Sequence, residues 1–108
     1  HWVALFQNVG AAAGASLAHL HAQLVALSEL PDMPRRELAA GMSHFEQSGQ
    51  CLWCETLGSE IAHAGRVVRE SEKFLVFCPT ASRLPYEMCI LPKCHNSHFE
   101  TAAQADLD

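Results

Sequence analysis

The sequence predicts an α+β fold built on antiparallel sheet, and three observations lead there. Short runs at residues 2–7 and 19–27 read as neighbouring strands. A second group of strand-like runs lies at 66–70, 73–78 and 86–91. Helical sequence fills 35–46, 51–64 and the stretch from about Phe99, so the order is strand, strand, helix, then helix, strand, strand, strand, helix.

Residues 2–7 include β-branched Val3 and aromatic Trp2 and Phe6, types that strands favour. Residues 8–18 form a loop of small residues, Gly10-Ala11-Ala12-Ala13-Gly14-Ala15-Ser16 among them, able to bring backbone close to a ligand. The run at 19–27 should pair with the first strand. Pro31 and Pro34 bracket Asp32, a candidate cap for a helix whose first turn holds Pro34. Ser48-Gly49-Gln50 ends that helix, and Gly65 is placed to stop the next, with Leu52, Leu57 and Ile61 as its buried stripe. Ser71-Glu72 joins two strands, and Pro79 begins a loop before the last one.

The chain has 108 residues, enough for a modest core, and a net charge of −5. That balance argues against general binding to a nucleic-acid backbone, while leaving room for a small anion held by local donors. Arg35 and Arg36 are expected on a solvated helix face. No apolar run is long enough for a membrane span, and residues 2–6 are too short for a signal-peptide core. The chain opens at His1-Trp2-Val3 without methionine and stops at Ala105-Asp106-Leu107-Asp108 in helical sequence, which reads as a piece of a longer protein.

His19-Leu20-His21-Ala22-Gln23 carries the chemistry. On a strand, His19, His21 and Gln23 share one face. A neutral imidazole is a nucleophile toward activated phosphorus. Its second nitrogen must then hold the proton, fixed by an acceptor. Gln23 can bond a phosphate oxygen but cannot protonate a leaving group, which favours transfer over hydrolysis. An isolated His-x-His is more often a pair of ordinary strand histidines.

The spacing Asn8-x-Gly10-x3-Gly14-x-Ser16-x2-His19-x-His21-x-Gln23 resembles the active-site segment of galactose-1-phosphate uridylyltransferases, the transferase branch of the histidine-triad superfamily. Gly65-Arg66-Val67-Val68, Phe74, Pro79, Ser82-Arg83-Leu84-Pro85-Tyr86-Glu87 and Ile90-Leu91-Pro92-Lys93-x-His95 resemble the opening of that family's second, homologous module. The resemblance implies that residues 1–30 end a first module, 31–50 link, and 51–108 begin a second. It implies that His21 is the nucleophile, that Gln23 bonds the nucleotidyl phosphate, and that Asn8, Gly10, Gly14 and Ser16 line the phosphate and sugar site. His19 matches a zinc-binding position of some members, whose companion ligands would lie upstream. The family often has Asn-Pro-His-Pro-His-Gly-Gln where this chain has Leu17-Ala18-His19-Leu20-His21-Ala22-Gln23. Related nucleoside-diphosphate-sugar and dinucleotide phosphorylases share His-x-His-x-Gln.

Cys51-x2-Cys54 has metal-type spacing. A redox pair and unligated core cysteines are the other readings of the residues themselves. The resemblance adds His95 as third ligand of a structural zinc and a histidine strand beyond residue 108 as source of the fourth. His44, His98 and Cys94 are local alternatives. Cys78 and Cys89 read as small buried thiols. Trp53 and Phe45 read as core residues, Glu55, Glu60 and Glu70 as solvated, and Arg83 either as an anion ligand or as the partner of Glu87.

The expected function is transfer of a nucleotide between a nucleoside-diphosphate sugar and a sugar 1-phosphate through nucleotidyl-His21. The full-length protein is expected to be cytoplasmic, a possible homodimer, and without nucleic-acid or membrane partners. The rival readings are a phosphorylase of the same superfamily, a nucleotide hydrolase, and a zinc-stabilised binding or structural module without catalysis.

Overall fold

Strand β1, Trp2–Phe6, pairs antiparallel with β2, Gln23–Leu27, from Trp2↔Leu27 to Phe6↔Gln23. The computed structural model describes residues 1–107, with backbone alone for 106 and 107; Asp108, placed in the last helical stretch by the sequence, lies outside the described residues. The second strand is shorter than the expected 19–27. A strand needs a partner for its backbone groups, and β1 ends at Phe6, opposite Gln23. His19 to Ala22 therefore lie outside the ladder. Between the strands, Ala11–Ala13 forms a single 3-10 turn flanked by Gly10 and Gly14.

Helix α1, Asp32–Ser48, begins three residues before the expected 35–46 and ends two after it. Pro34 falls in its first turn, where the missing N–H has no partner to lose, and the amide of Arg35 bonds the carbonyl of Pro31 at 3.1 Å. Asp32 sits in that turn with its carboxylate 2.8 Å from Arg36 and 3.7 Å from Arg35, all three exposed. Gly49 then takes φ 70°, and its amide bonds the carbonyl of Phe45 at 2.8 Å. Helix α2, Leu52–His63, follows with Cys51 at its N-terminal cap. Its left-handed C-terminal position is held by Ala64 at φ 54°, not by Gly65. The cap bond from the Ala64 amide to the Glu60 carbonyl sets that place, one residue before the glycine.

Strands β3, Val67–Glu70, β4, Phe74–Phe77, and β5, Cys89–Pro92, make an antiparallel sheet with β4 in the middle. A register shift separates Val67 and Arg69. Leu75 and Phe77, alternate residues of the central strand, are 0% and 2% exposed and make up the buried apolar core among the described residues. Each contributes about 1.5–3 kcal/mol through burial. The last strand starts at Cys89, opposite the final residue of β4, and not at Tyr86. Tyr86 has φ 64°, which bends the chain out of the extended path. The expected final helix is a 3-10 turn, Phe99–Thr101, followed by α3, Gln104–Leu107.

The chain divides into two compact units, His1–Ala40 and Gly41–Asp108, and the division falls inside α1. The first holds the histidine segment and the second the cysteine pair. No helix among the described residues is long and apolar enough to cross a membrane.

Candidate active site and metal centre

The histidine segment is organised by backbone geometry. Gly10, at φ 80° and ψ 155°, occupies a region open essentially to glycine alone. Gly14, at φ 80° and ψ 20°, is left-handed, and its amide bonds the carbonyl of Ala11 at 3.0 Å. The two glycines thus reverse the chain around the 3-10 turn. Asn8 is half-buried, with its Nδ2 3.9 Å from where a side chain on Gly14 would begin. Ser16 is exposed, while His21 and Gln23 are half-buried.

The expected arrangement of His19, His21 and Gln23 on one strand face is not formed, because only Gln23 belongs to β2. The two imidazoles instead meet edge to face, with centroids 6.1 Å apart and planes at 61°. The carbonyl of His19 lies 3.1 Å from Nδ1 of His21. A carbonyl only accepts, so Nδ1 carries the proton and Nε2 keeps its lone pair.

In the other unit, Cys51, Cys54 and His95 bring their ligand atoms within 4.8 Å of one another. The Cys54 thiol and Nδ1 of His95 are 3.1 Å apart, across 41 residues of sequence. Backbone amides of Cys54 and Trp53 face the Cys51 sulfur at the start of α2. Neither forms a close capping bond, yet their dipoles hold its pKa below the usual thiol value of 9.0, the Cys54 amide most. Desolvation and the neighbouring Cys51 push Cys54 the other way. Tetrahedral zinc with bonds of about 2.3 Å to sulfur and about 2.0 Å to nitrogen separates its ligands by about 3.3–3.8 Å. The cluster fits a metal ion of that size. Among the described residues, no potential ligand group includes His19.

No protein-family model matches the chain. ADP-glucose phosphorylase of Arabidopsis thaliana is 36% identical over 99 residues, 92% of this chain and 27% of the relative. Galactose-1-phosphate uridylyltransferase of Thermotoga maritima is 38% identical over 96 residues, 89% of this chain and 30% of the relative. The crystal structure of the Arabidopsis thaliana ADP-glucose phosphorylase with bound ADP-glucose superposes with a TM-score of 0.82 at 34% identity, covering 98% of this chain and 32% of the other. Over most of its length the chain is thus similar to one part of galactose-1-phosphate uridylyltransferases and of ADP-glucose phosphorylase. It spans about a quarter to a third of these relatives' length.

Other residues of this chain depart from the sequence reading. Glu60 is 4% exposed, not solvated. The inward face of α2 runs through Leu52, Thr56, Leu57 and Glu60, which leaves Ile61 exposed. Arg66 bonds Glu60 Oε1 through Nη2 at 2.7 Å and Nε at 3.3 Å, while Oε2 has no hydrogen-bond partner among the described residues. The six-residue spacing of that pair spans a helix end, which no local periodicity marks.

Trp53 and Phe45 are about half exposed, not core. Trp53 follows inward-facing Leu52 and points to another side of α2. Phe45 lies with Leu38 and Met42 in an exposed apolar stripe on α1. Cys78 and Cys89 are half-buried. Arg83 pairs with Glu87 at 3.3 Å. The Glu87 carboxylate also accepts the amides of Arg83 and Leu84, and the first of these holds its pKa below the usual range. This clamp presents Tyr86, 94% exposed, at the loop tip.

Proposed function

We propose that the chain carries the covalent-transfer segment of a nucleotidyltransferase acting on a nucleoside-diphosphate sugar and a sugar 1-phosphate. The hydrogen bond from His21 Nδ1 to the His19 carbonyl supports this reading most directly, because it leaves Nε2 as the nucleophile. Nε2 attacks the nucleotide's α-phosphorus. The P–N bond forms as the bond to the bridging oxygen breaks, and the sugar 1-phosphate leaves with the electron pair. A phosphate oxygen of the acceptor then attacks, the P–N bond breaks, and the imidazole recovers its lone pair. The Gln23 amide donates to a phosphate oxygen in both steps. Asn8, Gly10, Gly14 and Ser16 line the phosphate and sugar, and His19 supplies the carbonyl that fixes the tautomer.

The similarity to ADP-glucose phosphorylase favours a second reading, with inorganic phosphate as acceptor. Both acceptors meet the same intermediate. Incubation of the full-length protein with UDP-glucose or ADP-glucose, without acceptor, should add one nucleotidyl mass that His21→Ala abolishes. Release by galactose 1-phosphate marks a transferase, and release by phosphate a phosphorylase. No adduct, or one that survives His21→Ala, would falsify the mechanism.

In the same reading, residues 1–30 end one histidine-triad-like module, 31–50 link, and 51–108 begin a second. Cys51, Cys54 and His95 hold a structural zinc. Bound there, zinc supplies a cross-link between the start of α2 and the segment after β5. A reducing, cytoplasmic setting keeps those thiols available.

A further inference from the structure

We propose that the second compact unit holds a binding site of its own for a nucleoside monophosphate, between the β4–β5 sheet face and the turn at Phe99. It is carried by a cavity of about 790 Å³, within the range of small-ligand pockets, about 300–1,000 Å³. Phe74 pairs with Pro92, and Ile90 shares their side of the sheet by alternation, the side turned away from buried Leu75 and Phe77. The 3-10 turn Phe99–Thr101, with Ala102 and Ala103, supplies further apolar lining. That turn is tied down at Thr101, whose hydroxyl donates to the His98 carbonyl at 2.8 Å and accepts from Asn96 Nδ2 at 3.3 Å. Ile90 is 65% and Phe99 75% exposed, so two large apolar side chains line a void in which a flat ring would cover both.

The polar lining selects an anion. The Lys93 amide bonds the Lys73 carbonyl at 2.8 Å, one step past the Phe74–Pro92 pair, so two lysines lie side by side at the cavity. Against them, Glu72 is the one carboxylate among the described lining residues, in a chain of net charge −5. The Lys93 ammonium lies 2.5 Å from Glu70, and that of Lys73 donates to the Ala105 carbonyl. These contacts hold both side chains in place, and an ammonium has three donors, so each can also serve a phosphate. Ser97 and Thr101 bring hydroxyls that suit a ribose. A ring, a sugar and one phosphate thus match the apolar lining, the hydroxyls and the lysine pair. An apolar chain would use neither the lysines nor the hydroxyls.

The test is calorimetric titration of the full-length protein with AMP, together with photolabelling by 8-azido-AMP and peptide mapping. Label should land within residues 90–103. Phe99→Ala should weaken AMP by about 10-fold, the stacking share of one base. Lys93→Gln should weaken AMP by about 10-fold and leave the affinity for adenosine unchanged, because only the phosphate meets the ammonium. Since Phe99 is exposed, Phe99→Ala should keep its circular dichroism. His21→Ala should leave labelling of 90–103 intact, so this site and nucleotidyl transfer stand or fall separately. Absence of AMP binding, label confined to residues 8–23, or unchanged affinity in Phe99→Ala would each overturn the site. If Phe99→Ala instead alters the oligomeric state in light scattering and AMP has no effect on it, the face is a protein contact and the nucleotide site falls.

Discussion

The imidazole of His21 donates its Nδ1–H to the carbonyl of His19, 3.1 Å away. That contact places the proton on Nδ1 and leaves the lone pair of the neutral ring on Nε2. The bond forms because residues 19–22 leave the ladder that ends at Gln23. In a regular strand that carbonyl would point sideways to a neighbouring chain.

Gln23→His should turn transfer toward hydrolysis. A histidine there can activate water, which the amide cannot. Release of free nucleotide by the full-length protein without acceptor should rise about 100-fold, the low end of general acid–base catalysis. Chromatography of the released nucleotide measures it, and an unchanged rate removes Gln23 from the step.

Gly10→Ala should destabilise by about 1–3 kcal/mol through its backbone conformation, because a side chain there meets nothing within 4 Å. Gly14→Asn should cost less, since asparagine tolerates the left-handed region. Urea denaturation followed by Trp2 fluorescence on β1 compares the two. Equal costs would mean that the turn relaxes on substitution.

Arg66→Leu should cost about 3 kcal/mol, because it leaves the Glu60 carboxylate buried without its cation. The half exposure of the guanidinium keeps the loss near the low end. Glu60→Gln should cost about 1 kcal/mol or less, since an amide oxygen still accepts from Arg66. Denaturant midpoints at constant slope give both values.

The Glu87 carboxyl should titrate below its usual value of 4.5, held there first by the Arg83 amide. A depressed folded pKa adds stability that is present above the unfolded value and lost as pH falls through the folded one. The Arg83–Glu87 turn should therefore loosen only below pH 4.5. Carboxyl and amide NMR signals of Glu87, Arg83 and Leu84 should share one midpoint, and Glu87→Gln should abolish that step.

The sequence by itself determined what depends on near neighbours along the chain. The spacing from Asn8 to Gln23 marked the resemblance to galactose-1-phosphate uridylyltransferases, Cys51-x2-Cys54 marked the possible ligand pair, and Gly49 marked the end of α1. Each is local chemistry or backbone preference, legible within a few residues. Tertiary structure decided what depends on partners distant in sequence. It cut β2 back to Gln23, where β1 runs out, and brought His95 to Cys54 across 41 residues. It buried Glu60 by supplying Arg66 beyond the end of α2, and it left the Leu38–Met42–Phe45 stripe exposed. Helical periodicity shows which face is apolar. What packs against that face is decided elsewhere in the chain.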